Sequence, residues 1–335
     1  MKKMDIRPLI LKIRESVAAH YLGEGKYCRF LWADSEGRRK MGNNEYGCAD
    51  AANILYTIGD FPSDAKEREE HIAALRAFQH EGGVFDEKSH HKIHCTAHCI
   101  AALELFDSKP YDTELSGLSE YKTKEGLYSL LSGLDWNVKV WSEAHKGAGI
   151  YAAFVLTGNA TPEWSDWYFD WLTENTDKKY GISTKGAIDE GGAILASHLN
   201  GWFHYLFNFV FARRPIPEAR ALVDSCISMY GDESKNLEYF GKCVGFAEVD
   251  WIYALNRAAR QEGYRVKEAT DCVRDFAHFY INNLNNLDHA HDERWNDLHM
   301  LFGATCALAE LQAALPGEII TDYPLRLVLD RRPFI

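Results

Sequence analysis

The chain has 335 residues, of which 46% are hydrophobic and 26% are charged, a composition typical of a globular protein with one large core or two smaller ones. Its formal charge of −12 disfavours a nucleic-acid binder, because affinity for phosphates needs clustered lysine and arginine. Eight cysteines are too dilute for a disulfide scaffold, and no stretch approaches the ~18 apolar residues of a membrane span.

The first residues, MKKMDIRPLILKIRESVAAHY, do not have the pattern of a signal peptide. Asp5, Arg7 and Lys12 interrupt any apolar run, and no small-residue cleavage site follows. The spacing of the apolar residues predicts an amphipathic helix over 5–22 that stops at Gly23. We therefore expect a cytoplasmic protein that binds neither membrane nor nucleic acid, and its oligomeric state stays open.

Helical periodicity predicts paired helices along the whole chain. In each pair an amphipathic helix precedes a helix of small apolar residues. The first members are predicted at 5–22, 64–80, 112–134, 162–177, 215–231 and 264–284. The second members are predicted at 48–62, 96–106, 145–159, 197–215, 244–261 and 296–317. Asp64 is a plausible N-terminal cap, Gly59 a plausible stop, and strand signals are nearly absent outside the tail LRLVL at 325–329.

The second helices repeat at a regular interval. Aligning them on their apolar cores gives intervals of 48, 51, 55, 46 and 54 residues between the equivalent positions Asp50, His98, Gly149, His204, Asp250 and Ala304. A period near 50 made of two helices is typical of a helical-hairpin repeat. An open solenoid should end in polar capping helices, but the sixth small-residue helix is as apolar as the second. We therefore predict an all-α (α/α)6 toroid of six helical hairpins, a single domain over residues 1–335 with inner and outer helix rings.

The second repeat carries FQHEGGVF followed by HCTAHCIAALELF. This resembles the glutamine–glycine-glycine repeat of the α/α toroid superfamily, which includes protein prenyltransferase β subunits and terpene cyclases. The acidic, Trp- and Tyr-rich composition is similar to that of toroids that process sugars, namely unsaturated glucuronyl hydrolases, N-acylglucosamine 2-epimerases and polysaccharide lyases. The resemblance implies an active site at the end of the ring where the inner helices begin.

Polar residues concentrate before and inside the first turn of each predicted inner helix. Most of the 14 histidines fall at this end, and core packing alone is a poor explanation for them because each buried imidazole needs its own partner. We expect Asp50, His98, His204 and Asp250 to point into one shared cavity. The candidate catalytic residues are Asp50, His98, His204, Asp250 and Glu248, and the candidate substrate-binding residues are Glu45, Tyr46, His94, His145, Trp202, Asn200, Asp297 and His299.

Acid–base chemistry is one interpretation of this set. A carboxylate beside an imidazole can orient it and raise its basicity, as the predicted neighbours Asp50 and His98 would allow. Two carboxylates across a cavity, Asp50 with Asp250 or Glu248, would suit glycoside hydrolysis. Two histidines would instead suit proton abstraction from a sugar carbon, as lyases and epimerases require.

A metal site is the second interpretation. His94 and His98 lie at i and i+4 with Cys48 and Cys95 within reach, and zinc takes such ligands. However, the chain has neither a CxxC nor an HExxH pattern, and Cys48-Ala-Asp50 reverses the Asp-x-Cys order of prenyltransferases. The DxDD motif of class II terpene cyclases does not occur either. We therefore predict no tightly bound metal and no cofactor.

The leading hypothesis is a carbohydrate-active enzyme, a glycoside hydrolase, lyase or epimerase, acting on a small acidic or neutral saccharide. An isoprenoid cyclase or prenyltransferase-like enzyme is the alternative, and its cavity should be lined chiefly by Phe, Trp and Leu with one acid. A non-catalytic binding scaffold is the third possibility. Six dissimilar inner-helix starts with different ionisable groups favour an enzyme over a scaffold's repeated surface.

Overall fold

The computed structural model describes residues 3–335, so that the first two residues of the predicted domain lie outside it, and the described chain is mostly helical. Its helices are α1 (Arg7–Ala19), α2 (Glu45–Ile58), α3 (Ala65–Arg76), α4 (Lys92–Leu105), α5 (Lys124–Ser132), α6 (Val140–Thr157), α7 (Pro162–Asn175), α8 (Leu195–Phe211), α9 (Ala219–Tyr230), α10 (Ala247–Glu262), α11 (Val266–Asn286), α12 (Leu298–Ala314) and α13 (Val328–Arg331). Short 3-10 helices cover Glu81–Gly83, Ser116–Lys122 and Glu233–Lys235. The strands are β1 (Met4–Asp5), β2 (Tyr21–Gly23), β3 (Lys26–Tyr27), β4 (Thr176–Asp177), β5 (Ile182–Ser183) and β6 (Ile319–Ile320).

Several helix ends follow directly from the local sequence. The Asp64 carboxylate accepts a hydrogen bond from the Lys66 N–H at 2.9 Å, which confirms the predicted cap of α3. Asn44 caps α2 in the same way, through the Tyr46 N–H at 2.9 Å. Gly59 ends α2 in the left-handed conformation with a φ of 86°, which confirms the predicted stop. These caps place the polar start of α2 at a defined height relative to its neighbours.

The even-numbered helices α2 to α12 pack on one another in chain order. Helix α2 packs on α4, α4 on α6, α6 on α8, α8 on α10 and α10 on α12, and α12 packs back on α2. The odd-numbered helices α1, α3, α5, α9 and α11 pack on members of this set. One continuous apolar cluster runs through the described chain and contains residues of every even-numbered helix from α2 to α12.

Small residues allow the even-numbered helices to approach closely. A Cβ atom at Gly201 of α8 would lie 2.8 Å from the Val140 side chain of α6. A Cβ atom at Gly149 of α6 would lie 3.2 Å from the backbone oxygen of Ile93 on α4. Both distances are shorter than ordinary van der Waals contact, so these positions account for the small-residue character of the repeated helices.

Contacts also join the two ends of the chain. Strand β1 pairs in parallel with β6. Arg29 donates to both carboxylate oxygens of Asp297 at 2.8 and 3.0 Å, and its backbone oxygen accepts from Leu298. The His20 ring lies 2.8 Å from the backbone oxygen of Asn296. The first and last hairpins are therefore held side by side.

The sequence pattern was wrong at three places. The helix predicted over 5–22 ends at Ala19, because Tyr21–Gly23 pairs with Lys26–Tyr27 as an antiparallel strand. The helix predicted over 112–134 is broken, because a 3-10 turn over Ser116–Lys122 ends at Thr123, whose extended backbone and side chain cap α5 instead. The tail at 325–329 is not a strand. Its backbone pairs with the end of α2, since Arg326 donates its N–H to the Thr57 oxygen, and its last two residues begin α13, which packs against α2 and α8.

The tail crosses the end of the molecule at which the even-numbered helices finish. Arg331 binds Glu104 near the end of α4 at 2.9 Å, and Asp330 binds Arg257 of α10 at 2.9 Å. Residues 332–335 then turn inward, and the side chains of Arg332, Phe334 and Ile335 are buried. Among residues 3–335, no helix has both the length and the apolar character needed to cross a membrane.

Candidate active site

A cavity of about 540 Å³ lies at the end of the molecule where α4, α6, α8, α10 and α12 begin. Its size falls within the range of about 300–1,000 Å³ that is usual for small-molecule sites. Five histidines line it together with arginines, glutamates and aromatic rings. The lining residues are Arg29, His90, His94, Trp141, His145, His204, Glu238, Tyr239, Cys243, Val244, Gly245, Phe246, Glu248, Arg294, His299, Met300 and Ile335.

His204, on α8, is held as an unprotonated base. Its Nδ1 lies 2.9 Å from the backbone oxygen of Asn200, which can only accept a hydrogen bond, so Nδ1 carries the proton. The remaining nitrogen, Nε2, therefore has a free lone pair. Burial lowers the pKa of His204 to about 4, which keeps the ring neutral near pH 7. His204 consequently offers the cavity a proton acceptor.

His299, on α12, is oriented by a carboxylate. Its Nδ1 lies 3.2 Å from Oδ1 of Asp50, and His98 Nε2 lies 2.8 Å from the same oxygen. A carboxylate at this distance accepts N–H bonds, so Nδ1 of His299 carries a proton and its other nitrogen, Nε2, is left for proton exchange with the cavity. Burial alone would raise the pKa of Asp50, but His299 and His98 reverse this effect and hold the pKa below its ordinary value. Asp50 is thus a buried anion behind the cavity wall.

A stack of aromatic rings joins α2 to α4 beside this carboxylate. The Tyr46 hydroxyl lies 2.5 Å from Nδ1 of His94, and the Tyr46 ring stacks on His90 and His98 with centroids 4.5 and 4.9 Å away. Burial, and next the proximity of His145, lowers the pKa of His94 well below its ordinary value. These imidazoles are therefore neutral, and they can pack as uncharged rings.

The two arginines of the cavity are both paired. Arg29 binds Asp297 through two hydrogen bonds, and Asp297 also accepts the backbone N–H of His299 at 3.0 Å. Arg294 binds Asp292, with a shortest ion-pair distance of 3.0 Å. Asp297 thus caps α12 and neutralises Arg29, and its side chain does not line the cavity.

Glu248 is the one buried carboxylate in the lining. It accepts the backbone N–H of Gly241 at 2.9 Å. Burial raises the pKa of Glu248 to about 7, so a large fraction of this carboxyl group is protonated near neutral pH. Glu238 also lines the cavity, but it is exposed at the mouth. A proton donor and a proton acceptor therefore share one cavity.

The structure brings the sequence candidates to three different places. Five of them line the cavity: His94, His145, His204, Glu248 and His299. Four lie directly behind its wall, through the contacts described above: Tyr46, Asp50, His98 and Asp297. Of the four residues expected to share one cavity, only His204 lines it, because the first turns of the helices present different faces to the centre.

The four remaining candidates lie away from the cavity lining. Asp250 is fully buried, its carboxylate oxygens have no hydrogen-bond partner among residues 3–335, and burial together with Glu248 raises its pKa well above the ordinary value. Glu45 binds Lys40 at 3.1 Å. Trp202 packs in the apolar core against Tyr205, with ring centroids 5.4 Å apart. Asn200 contributes its backbone oxygen to His204 and not its side chain.

Several lining residues were not among the sequence candidates. Trp141 lies in the first turn of α6, and Phe246 and Arg294 come shortly before α10 and α12. Their position just before or at the start of an even-numbered helix could have identified them, but the candidates chosen there were other residues of the same segments. Ile335 had no signal, because nothing in the tail indicates that it enters the centre of the molecule.

Asp50, His98 and His299 are close enough to hold a metal ion, since one ligand atom of each lies within 4.8 Å of the others. Two observations speak against a metal here. Metal-bound imidazoles almost always donate their second N–H, but Nδ1 of His98 is buried with no partner among residues 3–335. The guanidinium of Arg332 is also buried near Asp50 and would repel a cation. The hydrogen-bonded arrangement therefore fits these residues better.

Comparison with known proteins gives no relative: no family model, no curated protein and no solved structure matches this chain.

Proposed function

We propose that this protein is an (α/α)6 toroid enzyme that moves protons on a small neutral saccharide, with the reaction type of a sugar epimerase or isomerase. The cyclic packing of α2 to α12 supports an inner ring of six helices, with the odd-numbered helices outside it. The cavity lies at the end where the inner helices begin, as the resemblance to sugar-processing toroids implies.

The presence of two oriented imidazoles in one cavity carries this proposal. His204 is fixed by a backbone oxygen and His299 by the Asp50 carboxylate, and each has its Nε2 left over for proton transfer. Both rings line the same cavity but come from different helices, α8 and α12. Two imidazoles that approach a carbon from different directions can act as the base that removes a proton and the acid that returns one at the other face.

The proposed step starts from the open-chain form of the sugar. His204 Nε2 takes the proton from the carbon next to the carbonyl, and the electron pair of that C–H bond forms the carbon–carbon double bond of an enediol. The carbonyl oxygen meanwhile receives the proton of Glu248. The imidazolium of His299 then protonates the carbon, and Glu248 regains its proton from the hydroxyl. Exchange with solvent afterwards removes the proton from His204 and returns one to His299. No net oxidation or reduction occurs.

The charge of the lining favours a neutral saccharide over an acidic one. Arg29 and Arg294 are each neutralised by an aspartate, so neither is a free partner for a substrate carboxylate. Trp141, Tyr239 and Phe246 supply aromatic faces for the C–H surface of a sugar ring. Elimination by a lyase would need a carboxylate on the sugar, and the paired arginines make that reaction the weaker candidate.

Glycoside hydrolysis is a second candidate, because two carboxyl groups line the cavity. Glu248, whose pKa is raised by burial, suits the general acid, and the exposed Glu238 is an ionisable partner at the mouth. An isoprenoid enzyme should have a cavity lined chiefly by Phe, Trp and Leu. The observed lining of five histidines, two arginines and two glutamates does not have that composition.

Solvent deuterium incorporation tests the proposal. The protein is incubated in D₂O with a panel of neutral and acidic mono- and disaccharides, and proton NMR follows loss of the C–H signal next to the carbonyl. We expect exchange and epimer formation with at least one neutral sugar. His204→Gln and His299→Gln should each lower the rate by about 10²–10⁴, because each removes a positioned base.

His291→Gln is the matched control, since His291 is an exposed histidine away from the cavity lining and should leave the rate unchanged. New reducing ends without deuterium incorporation would establish the hydrolase instead. Unchanged rates in both cavity variants would exclude these histidines from the chemistry.

A further inference from the structure

Residues 332–335 reach the cavity from the end opposite its mouth. Upstream, Arg326 donates its backbone N–H to Thr57 near the end of α2 at 2.9 Å, and α13 packs on α2 and α8. The segment then turns between the inner helices. Ile335, which is 1% exposed, lines the cavity itself. The tail therefore passes from the far end of the inner ring into the site.

Phe334 fills the space between helices that are not neighbours. Its ring lies 4.9 Å from the ring of His94 on α4 and 6.0 Å from that of Phe207 on α8, measured between centroids. It also lies edge-on to His98 at 6.5 Å. The Phe334 side chain is 0% exposed, so no passage remains around it. The centre of the inner ring is closed at this level by one aromatic ring.

Arg332 anchors the segment below Phe334. It donates to the side-chain oxygen of Asn53 on α2, and its guanidinium lies 5.6 Å from the Phe302 ring on α12. Two of its nitrogens, Nε and Nη1, are buried with no hydrogen-bond partner among residues 3–335. A long cationic side chain is an unusual choice for an apolar centre. Its hydrogen bond and ring contact fix the position of the residues that follow.

We infer that residues 332–335 are the floor of the active-site cavity and determine which saccharides it accepts, with Ile335 and Phe334 as specificity-determining residues. This inference rests on the proposed function. A cavity closed in this way has one opening, so it takes a mono- or disaccharide and has no path for a longer chain to continue through the ring. The cavity volume of about 540 Å³ agrees with a ligand of that size.

The first test does not depend on any reaction. Phe334→Ala leaves a ring-sized space, and such engineered spaces bind small aromatic molecules. Phenol is the probe, because its ring replaces the lost one and its hydroxyl can pair with the imidazoles that Phe334 covers. We expect the Tm of the variant to fall by roughly 4–7 °C and to recover by about 1–2 °C with millimolar phenol. The wild-type protein should show no recovery, and an equal phenol response in both proteins would overturn the floor assignment.

The second test measures substrate choice with mono-, di- and trisaccharides of one series. Ile335→Ala, which keeps Phe334, and Phe334→Ala should each raise the rate ratio of longer to shorter substrates by about tenfold or more. Leu329→Ala is the matched control, because Leu329 is equally buried in the same tail but lies outside the cavity lining. It should lose stability without changing the ratio.

The outcomes separate the floor from the chemistry. An unchanged ratio in both floor variants, or the same change in Leu329→Ala, would refute the specificity role. If the wild-type protein turns over no saccharide, the proposed function fails while the phenol experiment still decides the floor. If Phe334→Ala does not fold, Ile335→Ala decides the specificity role by itself, since it removes a lining side chain and keeps the Phe334 ring in place.

Discussion

Replacing Asp50 by asparagine should separate the orienting role of this carboxylate from simple packing. Asparagine has nearly the same shape, and its side-chain oxygen can still accept from His98 and His299. The change therefore converts two charge-assisted hydrogen bonds, at 2.8 and 3.2 Å, into neutral ones. Charge-assisted bonds contribute about 1.5–3 kcal/mol and neutral ones about 0.5–1.5, so the free energy of unfolding should fall by about 2–3 kcal/mol. For a chain of this length this corresponds to about 3–4 °C in Tm.

The pH dependence of that loss identifies its cause. The pKa of Asp50 is held below its ordinary value in the folded protein, mainly by His299 and His98 acting against burial. A lowered folded pKa means that the carboxylate stabilises the protein fully above its ordinary pKa, which is near 3.9, and progressively less below it. The Tm difference between wild type and Asp50→Asn should therefore be constant from about pH 5 to 8 and shrink below about pH 4.

Activity should change more than stability. The asparagine amide can either accept from Nδ1 of His299 or, when flipped, donate to it, so the tautomer of the ring is no longer fixed, and a loss of about 10²–10⁴ in rate is expected in the deuterium-exchange assay. Asp250→Asn is the matched control. Asp250 is equally buried on α10, but its raised pKa already keeps it neutral. The Asp250→Asn variant should therefore change neither the Tm nor the rate appreciably. Wild-type turnover by Asp50→Asn, or an equal loss in Asp250→Asn, would refute the orienting role.

Three further predictions concern the pH profile of turnover, the pH dependence of stability and the metal content. Turnover should rise through about pH 4, where His204 loses its proton, and fall through about pH 7, where Glu248 loses its proton. The Glu248→Gln variant should lack the fall near pH 7. Because the pKa of Glu248 is raised in the folded state, the free energy of unfolding of the wild type should decrease between about pH 4.5 and 7 and stay constant above pH 7. The Glu248→Gln variant should not show this decrease. Elemental analysis should find zinc well below one equivalent, and chelation should leave turnover intact. Stoichiometric zinc lost together with activity would instead assign Asp50, His98 and His299 as ligands.

The repeated helices were predictable because they depend on local and periodic features. Small residues such as Gly201 recur where helices must approach closely, and caps such as Asp64 mark helix starts, so both are visible in the sequence. The height of the histidines followed from the same period. The break within 112–134 was not predictable, because it depends on backbone turns whose apolar residues still keep helical spacing.

The sequence predicted the height of the site residues along the helices but not the direction in which their side chains point. A helix position such as Asp250 can share the level of Asp50 and yet face a neighbour, because the rotation of each helix about its own axis is set by packing on all sides. The pairing of Arg29 with Asp297 depends on residues far apart in the sequence, and the entry of Ile335 depends on the path of a tail without periodic signal. These features depend on tertiary contacts, which a periodic sequence pattern does not reveal.

The contact between α12 and α2 also has a consequence for biosynthesis. In a linear stack of repeats each new hairpin covers the one before it, but here one apolar side of α2 meets its partner only when α12 is made. Residues 59–297 lie between the two helices, so at about 5–20 residues per second the ribosome needs tens of seconds to supply the missing partner. During that interval the nascent chain carries an uncovered apolar helix face, which favours chaperone binding and makes the final docking of α12 a late, non-local step of folding.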